Sequence, residues 1–175
     1  MSLVLIYRGP LPAVNDSNKR KEEKQIIRRV LHGQLSRVMK KPYARPVSNP
    51  DIFRPRTVGN FNFQALICHD SSNPRRGCGL EIRILSNDPY RAVYQSGDLD
   101  NRLKTLFDAL CLPNKDQLPR DDRPLEGEDP FWVLLSDDKS ITDLQITQDT
   151  LHVPRSEKNH VALTITVKIK DEYQP

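Results

Sequence analysis

The chain has 175 residues, a formal net charge of +4 and 37% hydrophobic residues, enough for one domain with its own core. No run approaches the ~18 apolar residues of a membrane span, and the start MSLVLIYRGP lacks the basic lead and cleavage site of a secretory signal. Cys68, Cys78 and Cys111 make no C-x-x-C pair and the four histidines no H-x-x-x-H pair, which argues against a disulfide framework or zinc ribbon and for a reducing cytoplasm.

The charge is split along the chain. Up to residue 56 there are 13 Lys/Arg against 4 Asp/Glu, and beyond it 14 against 19. A basic first part suits a polyanion, and an acidic remainder can gather carboxylates. Uneven solvated surface gives the same arithmetic.

LVLIY (3–7) is a short β-prone run ended by Gly-Pro-Leu-Pro at 9–12. Asn15, Asp16 and Ser17 then offer N-caps. From Lys19 to Met39, Ile26, Ile27, Val30, Leu31, Leu35, Val38 and Met39 recur at helical spacing with Lys and Arg between them. This predicts an amphipathic helix with a basic outer face. Four prolines make 42–58 a loop, and FNFQALIC (61–68) reads as a strand. After a turn at 73–77, LEIRIL (80–85) alternates with the period of a half-buried strand. Leu99, Leu103, Leu106, Phe107 and Leu110 form one apolar helical stripe. Residues 112–130, rich in Pro and acids, predict a long solvent loop. WVLL (132–135), 141–146 and VALTITVKI (161–169) supply the remaining strands. The order β-α-β-β-α-β-β-β predicts an α/β (α+β) fold over 1–175, a small mixed β-sheet and two main helices in two layers.

The chemistry concentrates at the second helix. Asp98 and Asp100, read as extended backbone just before it, project to one side. Lys104 and Asp108 continue that polar side. One Asp there is an ordinary N-cap, but two facing carboxylates repel unless a cation lies between them. Asp137 and Asp138 follow the apolar WVLL run. Their plainer reading is a polar turn. Placed beside the helix, they would add a further ligand. Hard oxygens without soft ligands select Mg²⁺ or Mn²⁺. Such an ion beside a lysine, in a chain with a basic helix, points to phosphodiester hydrolysis.

GDLDNRLKTLFDAL (97–110) followed by SDDKSITDLQI (136–146) resembles the RusA family of Holliday-junction resolvases. That family's pattern is D-L-D-N-x-x-K-x-x-x-D-A-L and then a D-D pair before a β-prone run. YRGPLPAVND (7–16), LEIRIL and LTITV (163–167) extend the resemblance over most of the chain. It implies a RusA-like fold with Asp98, Asp100, Asp138 and Lys104 as catalytic residues. Mg²⁺ would lie on Asp98, Asp100 and Asp138, assisted by Asp137. It further implies a bacterial or phage cytoplasmic protein acting in DNA recombination and repair. A homodimer would cut the two symmetric phosphates of a four-way junction. The chain departs from the pattern at Gly97, where a basic residue is common, and in its longer 42–78 and 112–131 regions.

DNA contact is expected from Lys19, Arg20, Lys21, Lys24, Arg28 and Arg29, with Lys40, Lys41 and Arg45 beyond them. Contacts of this kind confer affinity and salt dependence rather than sequence readout. Tyr43, Phe53 and Tyr90 are candidate stackers or ordinary packing residues. Two other readings stay open: a non-catalytic DNA-binding module of the same fold, and an interaction module whose basic helix meets an acidic protein.

Overall fold

In the first strand, β1 (Ser2–Pro10), Leu3, Leu5 and Tyr7 turn inward while Val4 and Ile6 turn outward. The computed structural model describes residues 2–11, 17–40, 55–68, 76–86, 98–151 and 160–171. β1 pairs antiparallel with β7 (His160–Asp171), and β7 pairs antiparallel with β4 (Arg76–Ser86). β4 in turn pairs parallel with β6 (Ile141–Thr150). The sheet order is therefore β1-β7-β4-β6. β6 lies close on β4 at Gly77, where a Cβ would meet the Thr142 methyl at 2.5 Å.

The strands divide between two sheets rather than forming the single small sheet expected. β2 (Arg56–Val58), β3 (Phe61–Ile67) and β5 (Phe131–Leu135) make the second, with β2 antiparallel and β5 parallel to β3. β2 falls inside the predicted 42–58 loop. Three residues carry too little period to be legible, and a turn through Gly59, at φ 61, folds them onto β3. β3 and β5 are covered on both faces, which explains their near-continuous apolar sequences. Phe61, Phe63, Ala65, Phe131 and Val133 pack one way, with Leu118. Leu66, Ile67, Leu134 and Leu135 face the main core.

Two helices cover the inner side of the larger sheet. α1 (Ser17–Met39) lies against β1, β5 and α2 (Asp98–Leu110). Leu106, Ala109 and Leu110 of α2 are buried, with Leu99, Leu103 and Phe107 packed at the margin, as the apolar stripe predicts. On α1 the buried face is shifted from the one expected. Lys24, Gln25, Ile27, Arg28, Leu31, His32 and Leu35 turn inward, while Ile26 and Val30 are 48% and 40% exposed. The physical reason is that α1 packs on β1, β5 and α2, and α2 and the 112–130 segment offer polar partners to its basic side chains.

The solvent loop expected at 112–130 is exposed along most of its length but anchored at a few points. Pro113, Leu118 and Glu128 are buried, and the segment is tied to α1 and to the β2–β3 turn. No helix among the described residues is long and apolar enough to cross a membrane.

Candidate metal and nucleic-acid site

α2 begins at Asp98 itself. Asp98 and Asp100 therefore stand on helical backbone, not the extended backbone expected. Asp100 and Lys104, four residues apart, share a line on the exposed side. Asp108 continues it but turns half inward. The side chain of Asp98 lies outside the described residues, as do Gly97, Lys41, Tyr43, Arg45, Phe53 and Tyr90.

Asp137 and Asp138 meet α2 at its other end. β5 runs beside the residues that follow α2, where Leu112 donates its backbone N–H to the Leu135 carbonyl at 2.9 Å. Phe107 lines one cavity with Asp138 and Lys139. Asp100 is seven residues before Phe107, roughly 10 Å along the helix at ~1.5 Å per residue. Asp100 is thus set back along α2 from the end that Asp138 approaches, and the Asp98 side chain expected to share its ion falls outside the described residues. Among the described residues no three His, Cys, Asp or Glu side chains gather to hold a metal.

Asp137 and Asp138 form the exposed acidic pair instead. Asp137 accepts the Lys139 N–H at 2.9 Å, which caps the short 3-10 turn Asp138–Ser140. The Asp137 carboxylate, at hydrogen-bonding range, raises the Asp138 carboxyl above the ordinary carboxylate range, with burial adding to the effect. Nearby Cys111 is pushed up to about 12 by burial, and then by the charges of Asp138, Asp137 and Asp108. It is an inert thiol at neutral pH.

The basic residues predicted for DNA separate into two groups. Lys24, 6% exposed, pairs with the Asp108 carboxylate at 2.5 Å. Arg28, 1% exposed, donates from Nη2 to the Asp108 backbone carbonyl at 2.7 Å. That carbonyl belongs to the last turn of α2, so a cation caps its negative end. Burial lowers Arg28 to about 10, still charged at neutral pH. Arg29 forks between Asp122 at 2.9 Å and Glu128 at 3.1 Å, and also reaches the Arg123 carbonyl. Lys24, Arg28 and Arg29 are thus engaged within the fold, not presented as an outer basic face. Lys19 is exposed and Arg20 and Lys21 are half-buried near the start of α1. Lys21 lines a cavity of about 550 Å³ with Asn18, Lys115 and Arg120, where Glu22, Asp116 and Asp122 supply opposite charge.

Two residues that the sequence did not mark out hold this region together. His32 accepts the Trp132 N–H on Nδ1 and stacks on Phe131 at 4.5 Å between ring centroids. Glu128 binds Arg29 and also accepts the Leu125 N–H at 2.8 Å. An isolated His and a loop acid leave no spacing signal to read. Comparison of the chain with protein-family models, curated proteins and solved structures found no match.

Proposed function

We propose that the chain is a Mg²⁺-dependent endonuclease of the RusA type, acting on branched DNA as a homodimer. The resemblance over 97–110 and 136–146 motivates this reading. One observation carries it beyond the resemblance. Asp137 and Asp138 are adjacent and exposed on the surface, and the Asp137 carboxylate raises the Asp138 carboxyl by hydrogen-bond contact and charge. Such a pair is relieved by a cation. Mg²⁺ usually keeps several waters and takes only one or two carboxylates plus substrate phosphate, and this pair fits that demand. Asp137 and Asp138 are therefore the residues that would hold the ion.

A bound Mg²⁺ supplies charge neutralisation at phosphate and a more acidic water. Lys104, exposed on α2, would hold a phosphate oxygen as a point charge. Asp100 lies one turn before it on the same exposed line of α2. Lys19, Arg20 and Lys21 remain the α1 residues proposed for backbone phosphates.

The test is cleavage of a synthetic four-way junction with Mg²⁺ and with Mn²⁺. Asp138→Asn should abolish cleavage while junction binding persists. Intact junction after incubation with the wild-type chain in either metal would overturn the proposal. The internal pairing of Lys24, Arg28 and Arg29 favours a second reading, an interaction module of the same fold. Under it the chain binds no junction even at ~50 mM salt, where phosphate contacts are strongest.

A further inference from the structure

A cavity of about 390 Å³ opens beside Asp138, between α2 and the start of β6. Phe107, Ile141 and Leu144 form its apolar wall, and Asp138 and Lys139 stand at its rim. Phe107 and Ile141 rest on the main core and are half-buried, while Leu144 is 48% exposed. A concave apolar wall edged by a few polar groups is the usual make-up of a ligand pocket, and this one is at the small end of their ~300–1,000 Å³ range.

Two cations flank the wall. Lys139 is exposed on the 3-10 turn. Lys104 is exposed on α2, three residues before Phe107, so it lies ~4.5 Å along the helix on an adjoining line of its surface. Among the described residues, neither ammonium makes a hydrogen bond or an ion pair. Asp143, also in the cavity wall, is neutralised by Lys170. Asp137 and Asp138 are the carboxylates assigned above to the ion.

We propose that this pocket takes one unpaired nucleotide of branched DNA, its base against Phe107 and Leu144 and its flanking phosphates on Lys104 and Lys139. The proposal deepens the nuclease reading and rests on it for the class of substrate. An aromatic face between cations suits a single strand, because every base has a π face and every nucleotide has a phosphate on each side. An apolar peptide would leave both cations unmatched. A base inside a duplex cannot reach such a wall. It must first leave the stack, at a cost that is smallest where the base is already unpaired. Stacking accepts any base, so the pocket selects a branch point and not a sequence.

The test uses three short duplexes: one fully paired, one with a single bulged thymidine, and one with a bulged abasic residue. Ca²⁺, which also takes carboxylate oxygens, replaces Mg²⁺, and recovered strands are checked to be intact. The wild-type chain should bind the bulged thymidine at least about five-fold more tightly than the abasic bulge, the scale of one base on an aromatic side chain. Phe107→Leu keeps an apolar group on the core and should remove this preference. Phe107→Tyr keeps the ring and should retain it. Equal binding of the two bulges by the wild-type chain overturns the proposal, as does a preference that survives Phe107→Leu. Should Phe107→Leu not fold, Leu144→Thr, on the exposed side of the wall, decides in its place. Intact four-way junction in Mg²⁺ and Mn²⁺, with the preference present, overturns the nuclease reading alone. Cleavage without the preference overturns the pocket alone, and failure to bind any of the duplexes overturns both.

Discussion

Trp132 donates its backbone N–H to Nδ1 of His32 at 2.8 Å, across 100 residues of sequence. The bond fixes the tautomer. Nδ1 must be unprotonated to accept, so the proton sits on Nε2, which faces the Gly127 carbonyl at 3.4 Å. One imidazole therefore joins α1, β5 and the 112–130 segment.

His32 sets a pH dependence of stability. Burial lowers its affinity for a proton, ahead of the smaller opposing effects of the Gly127 carbonyl and Glu128. With the folded value below the unfolded one, the unfolded state binds more protons in between. The stabilisation is complete above the unfolded value of ~6.5 and is lost as pH falls through the folded one. Urea midpoints should fall between pH 7.5 and 5, and His32→Phe should flatten that part of the profile. His32→Phe also strands the Trp132 N–H, at about 1–3 kcal/mol.

Removing the anion from the Lys24–Asp108 pair should be costly. Asp108→Asn leaves a 6% exposed ammonium without its carboxylate. A fully buried pair broken in this way loses ~3–5 kcal/mol. Because Asp108 is 27% exposed, we expect about 2–3 kcal/mol, read from denaturant unfolding. Lys24→Met, which removes the charge and keeps the packing, should cost less.

The two classes of basic residue should behave differently toward DNA. Arg29→Ala breaks contacts to Asp122, Glu128 and the Arg123 carbonyl. It should lower stability by about 1–2 kcal/mol and speed proteolysis within 119–127, leaving the salt slope of junction binding unchanged. Lys21→Ala should weaken binding and reduce that slope by about 1. Equal slopes for both variants would remove Lys21 from the proposed interface.

Asp137 should control the acid limb of cleavage. It holds the Asp138 carboxyl above its ordinary range, so Asp138 loses its charge at a higher pH than an isolated carboxylate. Asp137→Asn should move the acid limb of the Mg²⁺-dependent rate profile to lower pH. It should also weaken Mg²⁺ binding, measurable by calorimetry on the full chain.

Local pattern in the sequence determined the elements and part of their burial. Leu106 and Leu110 were legible as core because α2 packs one stripe in the ordinary way. The alternation of Val161, Leu163, Ile165 and Val167 similarly marks the buried face of β7. The motif at 97–110 and the Asp137-Asp138 pair were likewise readable, because they are runs of neighbours. Only the tertiary structure decided where these runs meet. Whether Asp100 approaches Asp138 depends on where α2 starts and which end β5 reaches, and neither has a local signature. The fate of the basic helix was decided in the same way. Lys24, Arg28 and Arg29 look like solvated cations in sequence, but a charge is stable indoors once a distant partner satisfies it. Those partners, Asp108, Asp122 and Glu128, lie 80 residues or more away along the chain. Helical period cannot register a contact made across that separation.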